Sequence, residues 1–168
     1  MSSLAYQIIG TLVLVAVNAF FVLAEFAIVK VRDTRVSELA ATGKRIPRTL
    51  QHIIDHLDAY LSVTQLGVTG ASLGLGWLGA GAFSQLFGMA MNRTVAAILA
   101  FVLVTFITVI LGELVSKSFA IRMAEGASLA VALPLRWFYL ITRPITWPMY
   151  AATKAILRLF RIEPASER

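Results

Sequence analysis

The sequence predicts an all-α membrane protein with three transmembrane helices followed by a proline-broken juxtamembrane belt helix. Three observations carry that expectation. Hydrophobic residues make up 58% of the 168-residue chain and charged residues only 14%, far from the balance of a soluble domain. Two uncharged apolar stretches, 8–24 and 94–112, approach the roughly 20 residues that a helix needs to cross a hydrocarbon core. Finally, Lys30, Arg32, Arg35, Lys44, Arg45 and Arg48 crowd the segment from Lys30 to Asp58, whereas 59–112 holds only Arg93.

The basic segment belongs in the cytoplasm by the positive-inside rule. The first span, about Leu4 to Val29, then runs inward from an outside N-terminus. The second, about Ala59 to Gly79, runs outward, and the third, about Val95 to Val115, runs inward to Lys117 and Arg122. Gly79 to Arg93 reads as a short outer hairpin with one helical turn around Phe83 to Phe87. Met1 to Gln7 has no basic region before the apolar run and no small-residue cleavage pattern follows, so the first run is expected to stay in the mature protein.

Beyond Gly126, Arg136, Arg143, Lys154, Arg158 and Arg161 interrupt the apolar pattern, and Pro134, Pro144 and Pro148 break a continuous helix. Trp137, Tyr139, Trp147 and Tyr150 are amphipathic aromatics suited to headgroup depth. The segment reads as belt helices along the inner leaflet. A fourth span is the alternative, but the charge-free run 127–135 is too short to cross. The domain plan is therefore 1–125 for the three-helix domain, 126–162 for the belt and 163–168 for the start of a linker. The setting is a cell inner or plasma membrane, with membrane lipids as partners and a cytoplasmic C-terminus.

In the basic loop, Ile46, Leu50, Ile53, Ile54 and Leu57 recur at helical spacing, predicting an amphipathic helix near 46–57 that rests on the bilayer or on the belt. His52 and His56 lie four residues apart and could chelate a metal with Asp55 or Asp58, but a zinc-protease motif would need Glu where Ile53 stands. A solvated helix face is the plainer reading. No phosphate loop ending in lysine, no cysteine and no serine–histidine relay is present. The chain reads as a non-enzyme. Its net charge of +6 sits beside apolar spans rather than on a soluble face, which favours anionic lipid over nucleic acid.

Function is sought in the polar groups at membrane depth. Glu25 and Glu113 stand at the ends of apolar stretches, and a buried acid needs a partner, a wet cavity or a cation. The second span mixes glycines at three- and four-residue spacings with Gln65, Thr69 and Ser72; small residues allow close helix approach, and glycine permits unwinding that frees carbonyls. At a rise of roughly 1.5 Å per residue, Glu25, Gln65 and Glu113 fall at roughly 6 to 13 Å from the inner ends of their spans. Asn18, Thr69 and Ser72 fall at roughly 15 to 20 Å by the same rise. An all-oxygen set of this kind suits magnesium, calcium, sodium or manganese better than zinc or copper. The bland alternative pairs Glu113 with Lys117, and Glu25 with headgroup-level Lys30.

Three ordered segments, 18–27 (NAFFVLAEFA), 58–67 (DAYLSVTQLG) and 111–117 (LGELVSK), resemble the transmembrane domain of the CNNM/CorC magnesium transporter family, also known as hemolysin-related membrane proteins. The resemblance runs from about Leu4 to Phe160. It implies a homodimer of three-helix protomers, an inward-open cavity with a Mg2+ site made by the three helices, and a following cytoplasmic CBS pair. Its acidic ligand maps onto Glu113 beside Gly112, and its second-helix polar ligand onto Ser72. Val22 and Ala24 stand where many members carry a serine, leaving Glu25, Asn18 or a backbone carbonyl as first-helix ligand; Ser116 replaces the usual proline. The implied function is magnesium transport, by export and coupled to sodium. The alternative is a magnesium-sensing anchor and dimerisation module that regulates transport without conducting.

Overall fold

The computed structural model describes residues 2–159, all of whose regular elements are helical. In chain order these are α1 (Ser2–Lys30), α2 (Asp33–Ala41), α3 (Arg45–Asp55), α4 (Leu57–Gly88), α5 (Arg93–Ile107), a π-helical segment (Thr108–Val115), α6 (Ser116–Arg122) and α7 (Ala124–Leu159). Three stretches are long and apolar enough to cross a membrane: Leu4–Lys30, Leu57–Gly88 and Arg93–Arg122. The expected belt end at 162 and linker at 163–168 lie outside the described residues, as do the side chains of Tyr150 and Lys154.

The chain forms two compact units, one of 2–23 with Gly67–Ser118 and one of Ala24–Leu66 with 119–159. In the first, small or narrow residues face inward and large ones face outward, as expected where the surroundings are lipid. On α1, Thr11, Val15, Asn18 and Val22 are buried at helical spacing, while Ile9, Leu12 and Val13 are exposed. On α5, Ala96, Ala100 and Val104 are buried at four-residue intervals, with Ile98, Phe101, Val102 and Phe106 outside. Val15, Leu75 and Val104, one from each span, form the core together with Leu14, Phe83 and Ile107. Gly67 sets one close approach, since a Cβ there would lie 2.5 Å from the buried Phe21 ring.

The second span is longer than its sequence indicates. Gly79 to Gly88 continues the helix instead of forming a hairpin, and only residues 89–92 connect it to α5. Phe83 and Phe87 stack side by side along α4 with centroids 6.3 Å apart, and Ala82 is buried, so the segment carries its own inward and outward faces. Asn92 then caps α5 by accepting from the Thr94 N–H at 2.9 Å. The glycines do not unwind α4, which is helical throughout. Irregular backbone appears instead in the third span, where helical bonding widens over Thr108–Val115. Hydroxyls take up carbonyls at both ends: Thr108 Oγ1 donates to Val104 O at 2.8 Å and Ser116 Oγ to Leu111 O, five residues back, at 3.2 Å.

In the second unit α2 packs on α3 and α3 on α7. The amphipathic helix thus lays its face on the belt helix, with Leu50 and Ile53 fully buried. Helix α2 was not legible beforehand; it contributes buried Val36 and Ala40. Arg35 bridges Glu125 and Glu38, both at 3.1 Å, and the Glu125 hydrogen bond raises its pKa above the ordinary arginine value. Tyr139, expected at headgroup depth, stacks on buried Tyr60 with centroids 4.6 Å apart, and Trp137 and Trp147 are exposed. The belt is one continuous helix across Pro134, Pro144 and Pro148. Each proline removes a backbone donor, yet all three rings lie on exposed positions. Nearby Thr142 and Thr146 hydroxyls donate to the Phe138 and Thr142 carbonyls at 2.8 and 3.3 Å. The break is therefore in the hydrogen-bond ladder and not in the helical course.

A candidate cation site among the three spans

The first unit gathers Asn18 and Ser72 from the first and second spans and Gly112 and Glu113 from the third. Asn18 is fully buried. Its Oδ1 accepts from Ser72 Oγ at 3.3 Å. Its Nδ2 is buried with no hydrogen-bond partner among the described residues. A buried donor left unpaired costs about 1–3 kcal/mol, so this amide marks a place where something polar is wanted. Nδ2 points at the π-helical segment: a Cβ on Gly112 would meet it at 2.6 Å. Only glycine lets the third span approach this amide. Turning the amide end for end would hand Nδ2 to Ser72 and aim the carbonyl oxygen at Gly112, an exchange that the heavy-atom positions allow equally.

Ser72 and Glu113 also share a half-open cleft of about 230 Å3 with Leu75, Val104, Thr105 and Thr108. Its volume exceeds several waters, each about 30 Å3 in the liquid. Glu113 Oε2 holds Lys117 Nζ at 3.3 Å along the same helix. Both sequence readings of Glu113 thus coexist: it is paired with Lys117 and it lines an inter-helix void.

The remaining sequence candidates are distributed differently. Thr69 lies in the first unit on an exposed position of α4. Glu25 and Gln65 belong to the second unit, and each is engaged in an interaction of its own. Depth counted along straight helices puts them in one layer with Glu113; within the first unit the cleft joins Glu113 to Ser72. Thr105 and Thr108 were missed because two hydroxyls in an apolar run read as span filler, although their three-residue spacing puts them on one face.

In the second unit, His52 and His56 lie with ring centroids 4.4 Å apart, and His56 Nδ1 is 3.0 Å from the His52 carbonyl. No group of three or more His, Cys, Asp or Glu side chains able to hold a metal occurs among the described residues. Burial, then the charges of His56 and Arg136, lowers the His52 pKa.

Three membrane-length helices, with a buried amide on the first bonded to the second and a hydroxyl and a carboxylate sharing a cleft between the second and third, define a multi-pass membrane protein. The family description "Cyclin M transmembrane N-terminal domain" (CNNM) matches residues 9–168, and the chain belongs to that family. Among its relatives, UPF0053 protein YugS of Bacillus subtilis is 40% identical, covering 98% of this chain and 40% of the relative. UPF0053 protein YrkA of the same organism is 39% identical, covering 92% and 38%. The Polyamine export protein of Haemophilus influenzae is 24% identical, covering 98% and 40%. The chain therefore spans about two fifths of the length of these relatives.

Proposed function

We propose that the chain is the membrane-spanning part of a magnesium transporter, with a largely dehydrated Mg2+ bound among the three spans. Glu113 is the charged ligand; Asn18 Oδ1, Ser72 Oγ and a carbonyl of the π-helical segment near Gly112 supply neutral oxygens. Magnesium demands near-octahedral oxygen coordination and surrenders water reluctantly, so the four protein oxygens replace most of its shell and leave about two positions for retained water. The observation that carries this reading is the cleft that Glu113 shares with Ser72, whose hydroxyl bonds the oxygen of the fully buried Asn18 amide. The basic loop lies in the cytoplasm, supported by its Lys and Arg content, and the direction is export, supported by the printed name of the Haemophilus relative.

The test combines calorimetry with flux into liposomes enclosing a magnesium dye. Wild-type protein is expected to bind Mg2+ and dissipate its gradient, and Glu113→Ala to lose both. Wild-type affinity retained in Glu113→Ala would refute the site; binding without flux would replace transport by sensing.

The Haemophilus relative's name favours a second reading in which the cargo is a polyamine. A chain of ammonium groups wants acids or aromatic faces spaced along its length. The cleft offers one acid, which suits a compact dication better. The same liposomes loaded with spermidine separate the two.

A further inference from the structure

An unclaimed cluster of purely positive charge lies in the second unit, where a groove of about 490 Å3 between α3 and α7 is lined by Arg45, Arg48, Arg136, Trp137, Leu133 and Leu140. Arg45 and Arg48, three residues apart, present their guanidinium groups on one face of α3, and α7 brings Arg136 against them. None of the residues lining the groove is acidic. None of the three arginines is in an ion pair among the described residues, where the ion pairs belong to Arg35 and Lys117. Three like charges ranged around one concavity repel one another, and an anion entering it relieves that repulsion. The one hydroxyl of the wall, Thr49 Oγ1, is already donated to the Arg45 carbonyl at 3.0 Å, so the groove is donor-rich and acceptor-poor.

We propose that this groove binds the phosphate headgroup of an anionic phospholipid. Guanidinium forks match phosphate oxygens in paired hydrogen bonds, and basic pockets beside membrane helices are a recurrent form of headgroup recognition. The apolar wall decides between a lipid and a free phosphate. Trp137 is 63% exposed and Leu140 51%, and the exposed surface continues along α7 through Ile141 and Ile145. An indole at the mouth of a basic groove is placed as interfacial tryptophans are, and the aliphatic row beyond it offers a track for an acyl chain. A soluble phosphate would use the arginines and leave that row bare.

The experiment titrates purified protein in neutral detergent with dioctanoyl phosphatidylglycerol, dioctanoyl phosphatidylcholine or inorganic phosphate, reading the thermal unfolding midpoint. Phosphatidylglycerol is expected to stabilise at lower concentration than either other probe. Arg48→Gln and Arg136→Gln, alone, are each expected to shift its titration by about fivefold, the worth of one basic residue at an anionic surface. Arg93→Gln, in the first unit, leaves it unchanged. Equal response to phosphatidylcholine, an inorganic phosphate response matching the lipid's, or single variants that titrate as wild type would overturn the proposal. The arginines are exposed, so these substitutions leave the core intact.

Discussion

The two units solve opposite packing problems. The first, 2–23 with Gly67–Ser118, contains only Arg93, Glu113 and Lys117 as charged residues. It packs by bringing backbones together over glycine and alanine, and its polarity is concentrated in a few groups at one place. The second holds the remaining charge and packs in the manner of a soluble domain, with large buried side chains such as Tyr60, Leu50, Ile53 and Leu135 and exposed ion pairs at its rim. The difference teaches where sequence change is dangerous: steric fit governs the first unit, aromatic and aliphatic area the second.

The sharpest way to break this comparison is to add a methyl group. Gly67→Ala and Gly112→Ala, whose Cβ atoms would meet Phe21 at 2.5 Å and Asn18 at 2.6 Å, are each expected to destabilise by about 1–3 kcal/mol. Gly70→Ala, with nothing within 4 Å, should be neutral or gain up to about 1 kcal/mol from helix propensity. Thermal unfolding in detergent measures all three; equal effects would mean that close approach is not what holds the first unit.

Next in size is an aromatic deletion in the second unit. Tyr139→Leu removes the stacking partner of Tyr60 and is expected to lose about 0.5–1.5 kcal/mol beyond the change in buried area, read by the same unfolding assay. Asn18→Leu then separates stability from binding. Replacing an incompletely satisfied buried amide by an apolar side chain of similar shape should change stability by less than about 1 kcal/mol, while Mg2+-dependent stabilisation disappears. A large loss of stability would instead make Asn18 a structural residue.

The smallest effect concerns pH. His52 has a lowered pKa in the folded state because burial and the charges of His56 and Arg136 disfavour its protonation, against which Asp55 acts weakly. The unfolded chain therefore binds the proton first as pH falls. Stability is full above the ordinary histidine pKa of about 6.5 and declines as pH drops below it. His52→Gln should flatten that decline in a pH series of unfolding midpoints.

The spans were legible because lipid demands unbroken apolar runs, and α3 because Leu50 and Ile53 repeat at helical spacing. Helix α2 escaped because Val36 and Ala40 are too few to show a period before their partners on α3 are known. The length of α4 escaped because glycine reads as a breaker in water, whereas inside a membrane domain it is a packing residue. Depth arithmetic placed Asn18 and Ser72 together, and they hydrogen-bond. It could not reveal the widened turns at Thr108–Val115, since hydropathy records which side chains are apolar and not which carbonyl each amide chooses. That is also why Gly112 was readable from the family resemblance alone, without its steric reason.

The Glu113–Lys117 pair carries a consequence for the proposed site when it holds no ion. A lone anion left in an oily cleft would pull in a proton or water to quench itself, but a tethered ammonium one helical turn away quenches it without leaving the chain. Under the proposed magnesium reading, a visiting cation would compete with the Lys117 ammonium for Glu113, and its departure would expose no naked charge.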